Sequence, residues 1–173
     1  MQAAYVRAMD ALYLICVTIA GFCLVVMTLI IPLGVYFRYV LNSALAWPEP
    51  AATIMMIYFS FLGGAAVYRA NVHIAMVAII DNVKPAARQV MLAVVHSCMI
   101  VTSLFMLIYG QHLVSITWNQ VIGDFPWLRV GWTYLPIPLC GLLTLLFIVE
   151  RIWVGQPPAD SIMFSDQPTG GVE

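Results

Sequence analysis

Four long apolar runs, each bounded by charged or aromatic residues, punctuate this chain. The first reaches from Ala11 to Phe37, the second covers about 50–69, the third about 90–111 and the fourth about 132–150. About 20 apolar residues suffice to cross a bilayer, and no Asp, Glu, Lys or Arg lies at the centre of any run. The pattern predicts an all-α integral membrane protein with four transmembrane helices. Pro32, late in the first run, removes one backbone hydrogen bond, so a bend or a loosened helix end is expected there. Pro136 and Pro138 fall in the first turns of the fourth run, where the amides have no intrahelical acceptor anyway.

The segments between and beyond the runs complete the layout. In ANVHIAMVAIIDNVKPAA, Ile74, Val77, Ile80 and Val83 recur at helical spacing over a length too short to cross. A short interfacial helix over about 72–83 is expected, lying against the cytoplasmic face. Residues 1–154 then form one membrane domain. Residues 155–173, rich in Pro, Gly, Ser and Asp, read as a disordered cytoplasmic tail. The first run far exceeds the roughly 7–15 apolar residues of a signal peptide, and no small-residue cleavage site follows it, so it is expected to stay as a span.

Composition sharpens the class. Of 173 residues, 63% are hydrophobic and 9% charged, with a mean hydropathy of +0.96. A soluble domain carries about 25% charged residues, so this chain cannot clothe a water-facing surface. A net charge of -1 gives no support to a nucleic-acid partner. Basic residues set the orientation. With both termini cytoplasmic, Arg7, Arg69, Lys84, Arg88 and Arg151 lie inside, against Arg38 and Arg129 outside. Trp47, Trp118, Trp127 and Trp132 then mark the outer interface and Trp153 the inner one. Cys16, Cys23, Cys98 and Cys140 all fall within apolar runs, with no CxxC spacing, and read as small buried hydrophobes.

The candidate side chains cluster at span ends. Glu49, between Pro48 and Pro50, opens the second span beside the positive end of the helix dipole, and Arg69 closes it beside the negative end. Two readings stand for these charges. One is simple placement where charge costs least. The other is a pair between Glu49 and Arg38 that orders the junction of the first two spans beside Trp47. His73, one turn after Arg69, is a candidate polar contact, and His96 is expected to hydrogen-bond a neighbouring helix. Gly63 and Gly64, among Ser60, Ala65, Ala66 and Ala70, form a notch suited to close helix packing, internal or against another protein.

Several activities lack their residues. A mid-membrane transport site needs polar or charged groups on broken helices. A multidrug exporter needs an intramembrane carboxylate. A membrane disulfide enzyme needs cysteines in the loop from His112 to Gly131, which has none. A haem-binding redox subunit needs histidines facing one another, and only His96 lies deep. What remains is a non-enzymatic membrane scaffold or assembly protein, with no cofactor of its own.

The combination FRYVLNSALAW, an acid, FLGGAAVYRANVHI and the later LPIPLCGLLTLLFIVERI resembles the small membrane subunit (DctQ-like) of the tripartite ATP-independent periplasmic (TRAP) transporters. Arg38, Tyr39, Asn42, Trp47, Glu49, Gly63, Arg69, His73 and Ile74 occupy the family's positions. Relatives often carry two acids after the Trp, whereas here Glu49 is followed by Pro50; the acid usual after the His-Ile pair is also absent. The resemblance implies a subunit in a bacterial or archaeal cytoplasmic membrane that scaffolds a large, sodium-coupled membrane subunit. A periplasmic binding protein delivers an organic acid to that assembly. The same resemblance makes the outer loop, with Asp124, Trp127 and Arg129, a candidate dock for the binding protein.

Overall fold

Backbone at bilayer depth must satisfy its own hydrogen bonds, so each apolar run folds as a helix. The computed structural model describes residues 2–70 and 85–153. His73, the expected interfacial helix at 72–83 and the tail from 155 lie outside the described residues. In chain order the elements are α1 (Gln2–Tyr39), α2 (Pro48–Arg69), α3 (Pro85–Thr117), β1 (Val121–Ile122), β2 (Phe125–Arg129), α4 (Val130–Tyr134) and α5 (Pro136–Trp153). Among the described residues four helical segments are long and apolar enough to span a membrane, the last formed by α4 and α5 together. The all-α, four-span fold is what the hydropathy pattern predicts.

The helices run on past the apolar stretches that announce them. α1 takes in Arg7 and Asp10 before its greasy part begins, and it continues unbroken through Pro32 to Tyr39. Pro32 does not end the helix. Asn42 ends the first hairpin arm with φ 48, a left-handed conformation that Asn tolerates better than most residues. The Ser43 amide then donates to the Phe37 carbonyl at 3.1 Å, turning the chain towards α2.

Packing is unequal along the set. α1 lies along α2, and α5 sits between α2 and α3, while α1 and α3 share no substantial contact among the described residues. In the most apolar 18 residues of the span containing α5, 44% are buried, against 6% in that of α3. α5 is therefore the inner helix and α3 a flank. The core joins Cys16, Leu62, Ala65, Ala66, Leu143, Phe147 and Ile148 across α1, α2 and α5. Side chains such as Phe22, Leu29, Val101 and Phe105 remain exposed, as expected where lipid is the solvent. Cys16, Cys23 and Cys140 are buried but Cys98 is exposed; the reading of all four as buried holds for three.

Two glycines let α3 and α5 touch. A methyl group on Gly141 would lie 2.7 Å from the Ser103 carbonyl and 2.9 Å from the Leu107 amide, both on α3. One on Gly110 of α3 would lie 2.8 Å from the Pro138 ring. Close backbone approach of this kind is how helices bind one another where no hydrophobic force separates helix from lipid.

Candidate functional site: a buried charge knot where three spans meet

Antiparallel spans bring the start of α1 to the ends of α2 and α5. The Tyr5 and Trp153 rings lie 6.0 Å apart there, and the Tyr5 hydroxyl donates to the Leu146 carbonyl at 3.1 Å. Arg69, the last residue of α2, points inward at this end with its side chain 2% exposed. Its Nε donates to Glu150 Oε2 at 2.8 Å and its Nη2 to Glu150 Oε1 at 2.7 Å, a two-pronged pair. Nη2 also donates to Asp10 Oδ1 at 2.8 Å. Tyr13 and Phe147 flank the guanidinium, with ring centroids 5.8 and 5.5 Å away.

The chemistry explains the choice of residues. A guanidinium offers a rigid planar fork that matches a carboxylate, stays charged, and sheds water more readily than an ammonium. It also complements the negative end of the α2 dipole. In a dry site each ion loses several kcal/mol of hydration, which only close partners offset. Glu150 is 6% and Asp10 22% exposed, so the knot is shielded on most sides. It joins α1, α2 and α5 by directed bonds, where apolar packing alone would let the helices slide or rotate.

Sequence reasoning flagged Arg69 as a helix-end cation and missed both acids that hold it. They stand 59 and 81 residues away in the chain. The available signal was topological: the beginning of span one and the ends of spans two and four share one side of the bilayer. One charge on each was legible as a possible triad.

The other end is wetter. Arg38 and Glu49 do pair, Nη1 to Oε1 at 3.2 Å, with side chains 60% and 84% exposed. The junction between α1 and α2 thus has its ion pair, but in the open rather than in a partly dry site. Exposed pairs contribute about 0–1 kcal/mol. Glu49→Ala is therefore expected to shift the melting temperature of the purified chain by no more than a few degrees. Trp47 precedes α2 without a side-chain cap, the first turn being set by the prolines.

The loop between α3 and α5 forms a two-stranded antiparallel hairpin that pairs Val121 with Arg129 and Ile122 with Phe125. Trp127 is 77% exposed at its surface, and Asp124 in the turn is exposed as well. Arg129 is exposed too, and its guanidinium lies over the Trp118 ring, 5.6 Å from the centroid. The loop thus presents an acid and an indole while its cation is engaged locally. On α2, Gly63 stands over Ala20 at ordinary contact distance, and a methyl on Gly64 would meet nothing within 4 Å. The close approaches between α3 and α5 fall instead at Gly110 and Gly141, and Gly64 opens onto the outer surface.

Residues 27–156 match the family described as tripartite ATP-independent periplasmic transporters, DctQ component. The chain is also similar to a Haemophilus influenzae protein provisionally named a TRAP transporter small permease protein. The two are 22% identical over 148 residues, covering 82% of this chain and 85% of the relative. Arg69 and Glu150 lie inside the family-matched stretch, and Asp10 precedes it.

Proposed function

We infer the function from one premise: this chain belongs to the DctQ component family of the tripartite ATP-independent periplasmic transporters. It is a multi-pass membrane component of a transporter. Its role in that assembly is to brace a larger membrane subunit, which carries an organic acid across the bilayer with sodium as the coupling ion. Both termini face the cytoplasm in this reading, so the hairpin of β1 and β2 faces the periplasmic binding protein.

The observation that carries the bracing role is the Asp10–Arg69–Glu150 knot. Alternating access requires an element with two comparable packings. Three spans tied by a buried guanidinium have one packing, because any slide or rotation strands an ion away from water. Among the described residues the buried charges, Arg69 and Glu150, both belong to that knot. The polar groups are used for holding helices, which supports a static role. Co-expression with the large subunit tests it. The tagged chain is expected to bring down a very hydrophobic partner at fixed stoichiometry, and purification alone or with haem-type absorbance would contradict the reading.

The docking role rests on the exposed Asp124 and Trp127. Replacing Asp124, Trp127 and Arg129 together by alanine is expected to raise the binding-protein concentration for half-maximal uptake roughly ten-fold, the loss of one good interface anchor. Unaltered uptake would remove the loop from the docking surface.

A further inference from the structure

At the hairpin end a cleft of about 300 Å³ opens between the last turns of α1, the connection through Ala44–Ala46 and the first turn of α2. Ile31, Val35 and Arg38 follow one another at helical spacing along its α1 wall, with Glu49 opposite. Gly34 lets that wall approach Pro48; a methyl there would lie 3.1 Å from the Pro48 side chain. The apolar part of the wall is at span depth and exposed, Ile31 by 49% and Val35 by 51%. The charged part coincides with the end of the span, which closes at Tyr39.

We propose that this cleft binds a zwitterionic aminophospholipid, the phosphate on Arg38, the ammonium on Glu49, and an acyl chain along Ile31 and Val35. Three features select this occupant. A lipid supplies an apolar tail and a polar head across the depth at which this wall changes from apolar to charged. The Arg38 and Glu49 groups stand 3.2 Å apart and largely exposed, so each keeps free hydrogen-bonding capacity towards the open side. A headgroup with both signs of charge extends this pair into an alternating set. An anionic headgroup would leave Glu49 facing like charge, and a quaternary ammonium has no N–H to donate to the carboxylate. The inference is independent of the bracing role, since it needs only that the chain spans a membrane.

The test is native mass spectrometry of the full chain in neutral detergent. Phosphatidylethanolamine, phosphatidylcholine and phosphatidylglycerol of identical acyl composition are supplied in turn. Phosphatidylethanolamine is expected to be retained about five-fold more than either competitor, a difference near 1 kcal/mol. Arg38→Gln and Glu49→Gln are each expected to reduce it to the phosphatidylcholine level while the melting temperature stays close to that of the parent chain. Equal retention of the three lipids, preference for phosphatidylglycerol, or unchanged selectivity in both variants would overturn the proposal. So would a purified complex in which the large subunit fills the cleft and no lipid remains there.

Discussion

Glu150→Ala is expected to destabilise the chain by about 3–5 kcal/mol, the largest effect of any single substitution considered. The substitution removes the two-pronged carboxylate from the Arg69 guanidinium, 2% exposed, and leaves the cavity of a lost side chain beside it. Buried ions stripped of a partner cost this much, because hydration lost on folding is no longer offset. The measure is thermal unfolding of the purified chain in a mild detergent, where the melting temperature should fall by roughly 6–20 degrees or the chain should fail to accumulate. A second variant separates charge from packing. With Arg69→Met and Glu150→Leu combined, both fully buried ions of the knot are gone, and Asp10, 22% exposed, can be hydrated. That double variant is expected to be markedly more stable than Glu150→Ala alone, as replacement of a buried pair by apolar side chains often costs little. If the two variants melt alike, the knot contributes packing only.

The second large effect falls on Gly141. Even alanine there places a carbon 2.7 Å from the Ser103 carbonyl and 2.9 Å from the Leu107 amide. Both atoms are backbone, so relief requires α3 to move away from α5 along its length. Overpacking of this kind costs about 1–3 kcal/mol, and Gly141→Leu should cost more. Gly64→Ala is the matched control. It meets open space and gains about 0.5–1 kcal/mol of helix propensity, so the isolated chain should be as stable or slightly more so. Differential melting of the two alanine variants checks both expectations. Loss of co-purification with the large subunit in Gly64→Ala, with the fold intact, would place the partner on that side of α2.

How much of this was written in the chain depends on the length scale of the signal. The four spans were legible because bilayer thickness forces long apolar runs. Their ends were less so: helix continues as long as the backbone bonds itself, so α1 includes polar residues that hydropathy assigned to a flank. The Arg38–Glu49 pair was legible because a short connection joins its partners. Its modest energetic weight was not, since exposure is a property of the assembled fold. Gly63 and Gly64 attracted notice as neighbours in a run of small residues. The glycines at which α3 and α5 touch, Gly110 and Gly141, are isolated in sequence, and what makes them tight is a proline ring or a backbone on another helix. The hairpin was signalled only faintly by Gly123 and Asp124 between β-favouring residues. Arg69 was visible as a charge; its burial and partners depended on which helices lie beside α2.

The bracing account is tested most directly by locking the chain while the transporter works. Tyr5 and Trp153 face each other across the knot end with rings 6.0 Å apart. Cysteines at these two positions, in a background in which the native cysteines are replaced, can be joined by a short cross-linker. In proteoliposomes holding the assembled transporter and its binding protein, uptake of a labelled organic acid that the parent complex imports is then followed before and after cross-linking. Undiminished uptake by the locked complex is the predicted result. Uptake that stops on cross-linking and returns when a cleavable linker is cut would mean that α1 and α5 move in the transport cycle, and this chain would be part of the machine's moving body.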